Sequence, residues 1–156
     1  MKISSVRVNN RKKCIEISTQ KGRLGLPFSR LRVKPTSRDR ISEIYVDRDL
    51  GFRGITYALH SGKEDSLQLD AFLDYNKDPD LMRNIALHKL SIEAGKALRA
   101  SGLSKHEVIR QLKTSPSQLY RLLDPSNYRK SIDEMLRLLS VLGCEVRWSV
   151  VQDEAA

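Results

Sequence analysis

Apolar positions in residues 1–73 tend to alternate with polar ones, the spacing of half-buried strands. Ile3, Val6 and Val8 precede Asn9-Asn10, where left-handed backbone is cheap, and Cys14-Ile15-Glu16-Ile17-Ser18 then alternates with β-branched residues. The two runs predict a hairpin. Gly22, Gly25, Pro27 and Pro35 argue against a helix in the following stretch. Ile41 to Val46 and Gly54 to Leu59 are further strand candidates. Ser61-Gly62-Lys63 is a turn that folds the second back onto Ser66-Leu67-Gln68-Leu69. The expectation is a small, mostly antiparallel β domain.

Asp74-Tyr75-Asn76-Lys77-Asp78-Pro79-Asp80 is polar, carries a proline and reads as a solvated acidic linker. Beyond it the apolar period lengthens to that of a helix. Leu87, Leu90, Ala94, Ala97 and Leu98 share one helical face that ends near Gly102. Val108, Ile109 and Leu112 mark a second, shorter helix, and Leu119, Leu122 and Leu123 a third. Ile132, Met135, Leu136, Leu139 and Leu142 mark a fourth, stopped by Gly143, and Glu145 to Val151 alternates as a closing strand would. The domains expected are 1–80, β-rich and ending in the linker, and 81–156, helical. The fold class is α+β.

The stretch from Gly102 to Leu123 carries the strongest local signals. Ser104 with Glu107 three residues later is a capping-box pattern at the start of the second helix. That helix ends at Lys113-Thr114, and a new one starts at once, with Thr114 or Ser115 as N-cap and Pro116 in the first turn. Two short helices joined by about three residues must cross steeply, as in a helix-turn-helix. On the later helix, Leu119, Leu122 and Leu123 point one way, and Ser117, Gln118 and Arg121 roughly the other. An amide, a hydroxyl and a guanidinium suit the edges of base pairs. An ordinary solvated helix face has the same composition.

Composition sharpens the choice of partner. The chain of 156 residues carries 28 Lys and Arg against 19 Asp and Glu, a formal net charge of +9. Twelve basic and two acidic residues fall between Lys2 and Arg40. Such a balance fits a polyanion, most often nucleic acid, or a basic surface without a partner. Arg11-Lys12-Lys13 and the run Arg30, Arg32, Lys34, Arg38 and Arg40 are read as a second phosphate-contacting surface. Interleaved aromatics of the kind that stack on unpaired RNA bases are missing from that run.

Residues 85–143 resemble the lambda-repressor-like helix-turn-helix domain of the Cro/CI or Xre group of bacterial regulators. The resemblance rests on Gly102-Leu103-Ser104, Val108-Ile109, Leu112, Thr114-Ser115, Leu119 and Arg121-Leu122-Leu123. It continues in Ser131 to Leu136, Leu139 and Leu142-Gly143. It implies DNA contacts from Lys105 and from the first turns of the third helix, at Pro116, Ser117, Gln118 and Arg121. The turn position that is usually glycine in that family is Lys113 here, so left-handed backbone there would carry a penalty of ~1 kcal/mol. The whole chain is also similar to bacterial proteins that join a β-rich front domain to such a module.

The function expected is therefore a sequence-specific, DNA-binding transcriptional regulator whose third helix, about 115–123, reads the major groove. Ser117, Gln118 and Arg121 are expected at bases, and Lys105, Lys113, Ser115, Arg129 and Lys130 at phosphates. Double-stranded DNA is the partner, with a homodimer expected and a protein partner open to the β domain. The alternatives are a protein-interaction module, an antitoxin that represses its own operon, or a non-specific nucleoid-associated DNA binder. Neither His60, His88 and His106 nor the distant Cys14 and Cys144 have metal-ligand spacing. The carboxylates Asp70, Asp74, Asp78 and Asp80 lack the glycine and closing glutamate of a calcium loop. No nucleophile–base arrangement or phosphate loop is legible, so neither enzyme, metal nor cofactor is expected. Apolar runs are far short of a membrane span, and Met1 to Arg7 lacks the apolar stretch of a secretory signal. A cytoplasmic, nucleoid-associated location follows, with Trp148 expected in the core or in an interface.

Overall fold

Alternation in Cys14-Ile15-Glu16-Ile17 becomes the middle strand of a sheet because both isoleucines find apolar partners on each side. The computed structural model describes residues 1–152. Strands β1 (Ile3–Asn9), β2 (Cys14–Thr19) and β3 (Gly22–Pro27) pair antiparallel in that order. Ile15 and Ile17 are fully buried, opposite Val8 and Val6 on β1 and Leu26 and Leu24 on β3. The turn into β2 differs from the expectation. Positive φ falls on Lys13, while the Asn9 Oδ1 accepts the Lys12 amide at 3.0 Å. A side-chain acceptor thus closes the loop without left-handed backbone at the asparagines.

A second antiparallel sheet holds β4 (Ile41–Val46), β5 (Gly54–Leu59) and β6 (Glu64–Gln68) in that order. Ile55, Tyr57 and Leu59 enter the core shared with Ile3, Ile15 and Ile17. Thr56, on the opposite face, is buried as well, and its hydroxyl sits 2.6 Å from Asp47 Oδ2 and 2.8 Å from Ser66 Oγ. Tyr57 donates its phenol to the Val33 carbonyl at 2.6 Å, which ties the proline-bearing stretch 31–40 to β5. Helix α1 (Leu69–Tyr75) follows β6 and adds Leu69, Phe72 and Leu73 to the same core.

The expected linker is largely helical. Only residues 76–78 separate α1 from α2 (Pro79–Ser101). Asp78 accepts the Leu81 amide at 3.0 Å, and Lys21 Nζ lies 2.7 Å from Asp78 and 2.6 Å from Asp80. A capping carboxylate and a proline as the first helical residue suit a helix start, which is why a charge-rich stretch with a proline need not be loop. The chain divides into two compact units, 1–82 and 83 onward.

The second unit is a helical bundle. After α2 come α3 (Lys105–Leu112), α4 (Pro116–Leu123) and α5 (Ile132–Val141). Its core gathers Leu87, Ala94, Val108, Leu119, Leu122, Met135, Leu138 and Leu139. Each fully buried leucine stabilises the bundle by roughly 1.5–3 kcal/mol. Gly102 and Gly143, at φ of 72° and 74°, take the left-handed backbone that follows helix ends.

The closing strand expected at Glu145 to Val151 is not formed. Residues 144–152 have no ladder partner among the described residues, and a lone extended segment lacks the hydrogen bonds that define a strand. Val146 turns onto the helical core, whereas Trp148 is 62% exposed and Val150 97%. The core position expected for Trp148 is thus corrected: no opposing surface among the described residues of this unit covers it. Among the described residues no helix is long and apolar enough to cross a membrane.

Candidate nucleic-acid interface

Local chemistry sets the frame of α3 and α4. Ser104 accepts the Glu107 amide at 3.2 Å, and Glu107 accepts the Ser104 amide at 3.1 Å, closing a capping box. Helix α3 then ends on Lys113, whose φ of 53° and ψ of 48° are left-handed. Its amide returns to the Arg110 carbonyl at 3.2 Å and that of Thr114 to the Ile109 carbonyl at 3.1 Å. Three residues, 113–115, complete the connection. Ser115 then caps α4 by accepting the Gln118 amide at 3.3 Å, with Pro116 as the first helical residue. Val108 on α3 and Leu119 and Leu122 on α4 bury themselves in the common core.

Burial of that stripe leaves the opposite side of α4 outside. Ser117 and Gln118 are exposed, as expected, and the Ser117 hydroxyl lies 3.1 Å from that of Ser115. Lys105 is exposed at the start of α3, with its ammonium 5.0 Å from the centre of the Tyr120 ring. Lys113 and Arg129 also expose their side chains. Tyr120 was not singled out from the sequence, yet it stands three residues after Ser117, which is one helical face. Helical periodicity was the signal that could have found it.

Arg121 behaves differently from the expectation of a base contact. Its side chain is only 25% exposed. Its Nη2 lies 2.8 Å from Glu134 Oε1 and its Nη1 3.2 Å from Glu134 Oε2, while Nη1 also donates to the Arg129 carbonyl. The remaining Nε–H donates to Gln118 Oε1 at 2.8 Å. The guanidinium beside it holds the Glu134 carboxyl below its ordinary value, and Glu134 in turn raises Arg121. Glu134 also closes the capping box of α5, accepting the Ser131 amide at 2.8 Å. Its place three residues after Ser131 announces the cap but not the arginine. Four of the five N–H directions of Arg121 are thus answered within the protein, which leaves one for the base contact expected of it.

Lys130 is buried where a phosphate contact was expected. It is 4% exposed, and its ammonium donates to Ser91 Oγ at 2.6 Å and to the carbonyls of Asp124 at 2.7 Å and Leu122 at 2.9 Å. These are carbonyls at the end of α4, which has too few amides of its own to answer them. Burial lowers the lysine's pKa. A cation enclosed in this way has no donor left to offer a phosphate.

The basic front segment is partly committed too. Arg7 pairs with Glu16, and Arg32 with Asp65 at 2.6 Å, while Arg30 lies over the Tyr75 ring at 5.7 Å. Arg11, Lys12 and Lys13 in the first hairpin loop, and Lys34, Arg38 and Arg40, remain exposed. Among the described residues no group of three or more His, Cys, Asp or Glu is placed to hold a metal ion. No family model, curated protein or solved structure matches the chain.

Proposed function

We propose that the chain is a DNA-binding regulator of the helix-turn-helix kind, with the N-terminal half of α4 entering the major groove of double-stranded DNA. The observation that carries the proposal is the exposed first turn of α4: Ser117 and Gln118 face outward while Leu119 and Leu122 bury behind them. Helix α3, the three-residue connection and the Ser115 cap hold that turn in place. A short rigid helix presenting an amide and a hydroxyl matches the donor and acceptor pattern of the major groove. The Ser117 amide, the one left free in the first turn of α4, favours a phosphate oxygen nearby. Lys105, Lys113 and Arg129, exposed in the same unit, supply phosphate contacts, with Ser115 at the helix start. The net charge of +9 supplies the sequence-independent attraction that such proteins use to find DNA. Binding as a homodimer to two half-sites is part of the proposal.

Selection of bound duplexes from a random library, at near-physiological salt and with competitor, tests it. Convergence on a motif, above all a palindrome, is the expected result, and its repeat reports the half-site spacing. Enrichment without a motif, with affinity collapsing as salt rises, overturns sequence reading in favour of charge-driven packing of DNA. No retained DNA overturns the proposal and leaves a protein-interaction or antitoxin role.

A further inference from the structure

Resting on that DNA-binding reading, we infer that Arg121 is a positioning residue that orients the Gln118 amide to read adenine, with Glu134 as its anchor. A glutamine amide can turn over and exchange its oxygen and nitrogen, so a free one accepts several bases. Here the Arg121 Nε–H, 2.8 Å from Gln118 Oε1, decides the question. A guanidinium only donates, so the amide must turn its oxygen toward it. Arg121 cannot swing away cheaply, because Glu134 holds its Nη2 at 2.8 Å and the Arg129 carbonyl takes an N–H from Nη1. Glu134 is itself fixed by the Ser131 amide at 2.8 Å and by its place in α5.

The consequence for recognition follows from lone pairs. Gln118 Oε1 keeps one lone pair free, and its Nε2 has no acceptor among the described residues. One acceptor beside one donor matches adenine, whose N6–H donates and whose N7 accepts. Guanine presents two acceptors there, so its O6 would face the amide oxygen. Thymine and cytosine each offer a single partner. Loss of Arg121 frees the amide to turn over, and discrimination at that one position falls without loss of the phosphate contacts.

The test is duplex selection with the full chain, followed by competition titrations against duplexes substituted at each motif position. The wild type is expected to prefer adenine at one position by roughly 5- to 150-fold. Gln118→Ala abolishes that preference. Arg121→Met reduces it most of the way, with the salt dependence of binding unchanged, and the double variant matches Gln118→Ala alone. Glu134→Gln weakens the preference in part and serves where Arg121→Met compromises folding, which circular dichroism reports. A merely structural arginine would lower affinity for every sequence and add to the effect of Gln118→Ala. That outcome, an adenine preference that survives Arg121→Met, or a guanine preference lost with it, overturns the inference while leaving DNA binding standing. Failure of the wild type to select any motif removes sequence reading itself, and this inference with it.

Discussion

The ammonium of Lys130 and the hydroxyl of Ser91 meet 2.6 Å apart inside the helical unit, 39 residues apart in the chain. Ser91 passes the interaction on by donating to the Leu87 carbonyl of its own helix at 2.8 Å. The end of α4 is thereby fastened to the middle of α2 by a buried cation. Lys130→Met keeps the stem of the side chain and leaves the Leu122 and Asp124 carbonyls without their donor. The expected cost is about 1–3 kcal/mol for each buried acceptor left unanswered. Urea denaturation of the full chain measures it, and a change inside experimental error would show that water replaces the ammonium.

The Arg121–Glu134 pair makes stability depend on acid. Glu134 has its pKa lowered from an ordinary 4.5, first by the hydrogen bond from Arg121. A carboxylate whose folded pKa lies below its unfolded value contributes fully above pH 4.5 and loses that contribution as pH falls through the folded value. Thermal melts of wild type and Glu134→Gln should therefore converge as the pH drops below 4.5. Parallel curves down to strong acid would mean that solvent screens the pair completely.

Lys113 holds left-handed backbone at a φ of 53° with a full side chain. Glycine adopts that conformation without the Cβ penalty, though it loses more backbone entropy on folding. Lys113→Gly should raise stability by up to about 1 kcal/mol, read as a higher melting temperature. Removal of its charge should also lower the salt slope of DNA binding by about one if Lys113 touches a phosphate.

Burial pushes the Tyr57 phenol up from 10 to about 12, and the nearby Asp65 carboxylate acts the same way. The folded state keeps its proton between those two values while the unfolded chain loses it. Stability from this group is thus complete below pH 10 and declines as pH rises toward 12. Absorbance titration in alkali should show one of the five tyrosines ionising after the rest, and Tyr57→Phe should remove that late step.

Much of the framework was legible because its signals are local. Alternation at Ile41 to Val46 and Gly54 to Leu59 marks β4 and β5, whose bounds coincide with those runs. Ser104 with Glu107 marks the start of α3, Pro116 that of α4, and Gly102 and Gly143 follow the ends of α2 and α5. Caps and turns act through hydrogen bonds spanning three or four residues, so adjacent letters suffice to place them. Helix α1 was hidden by its brevity, although Leu69, Phe72 and Leu73 have helical spacing.

What the tertiary structure alone decided is which charges are free. Sequence reading places Arg121 at bases and Lys130 at phosphates, and takes the alternation of Glu145 to Val151 for a strand. In the folded chain Lys130 is enclosed by Ser91 and helix-end carbonyls, Arg121 is taken by Glu134 and Gln118, and Glu145 to Val151 finds no strand to pair with among the described residues. Each outcome depends on groups distant in the chain meeting within hydrogen-bond reach. The amino-acid order determined two regions, their periodicities, their caps and an excess of positive charge. Packing determined which side chains face solvent, because a cation's partner is chosen by the surface folded over it and not by its neighbours in the chain.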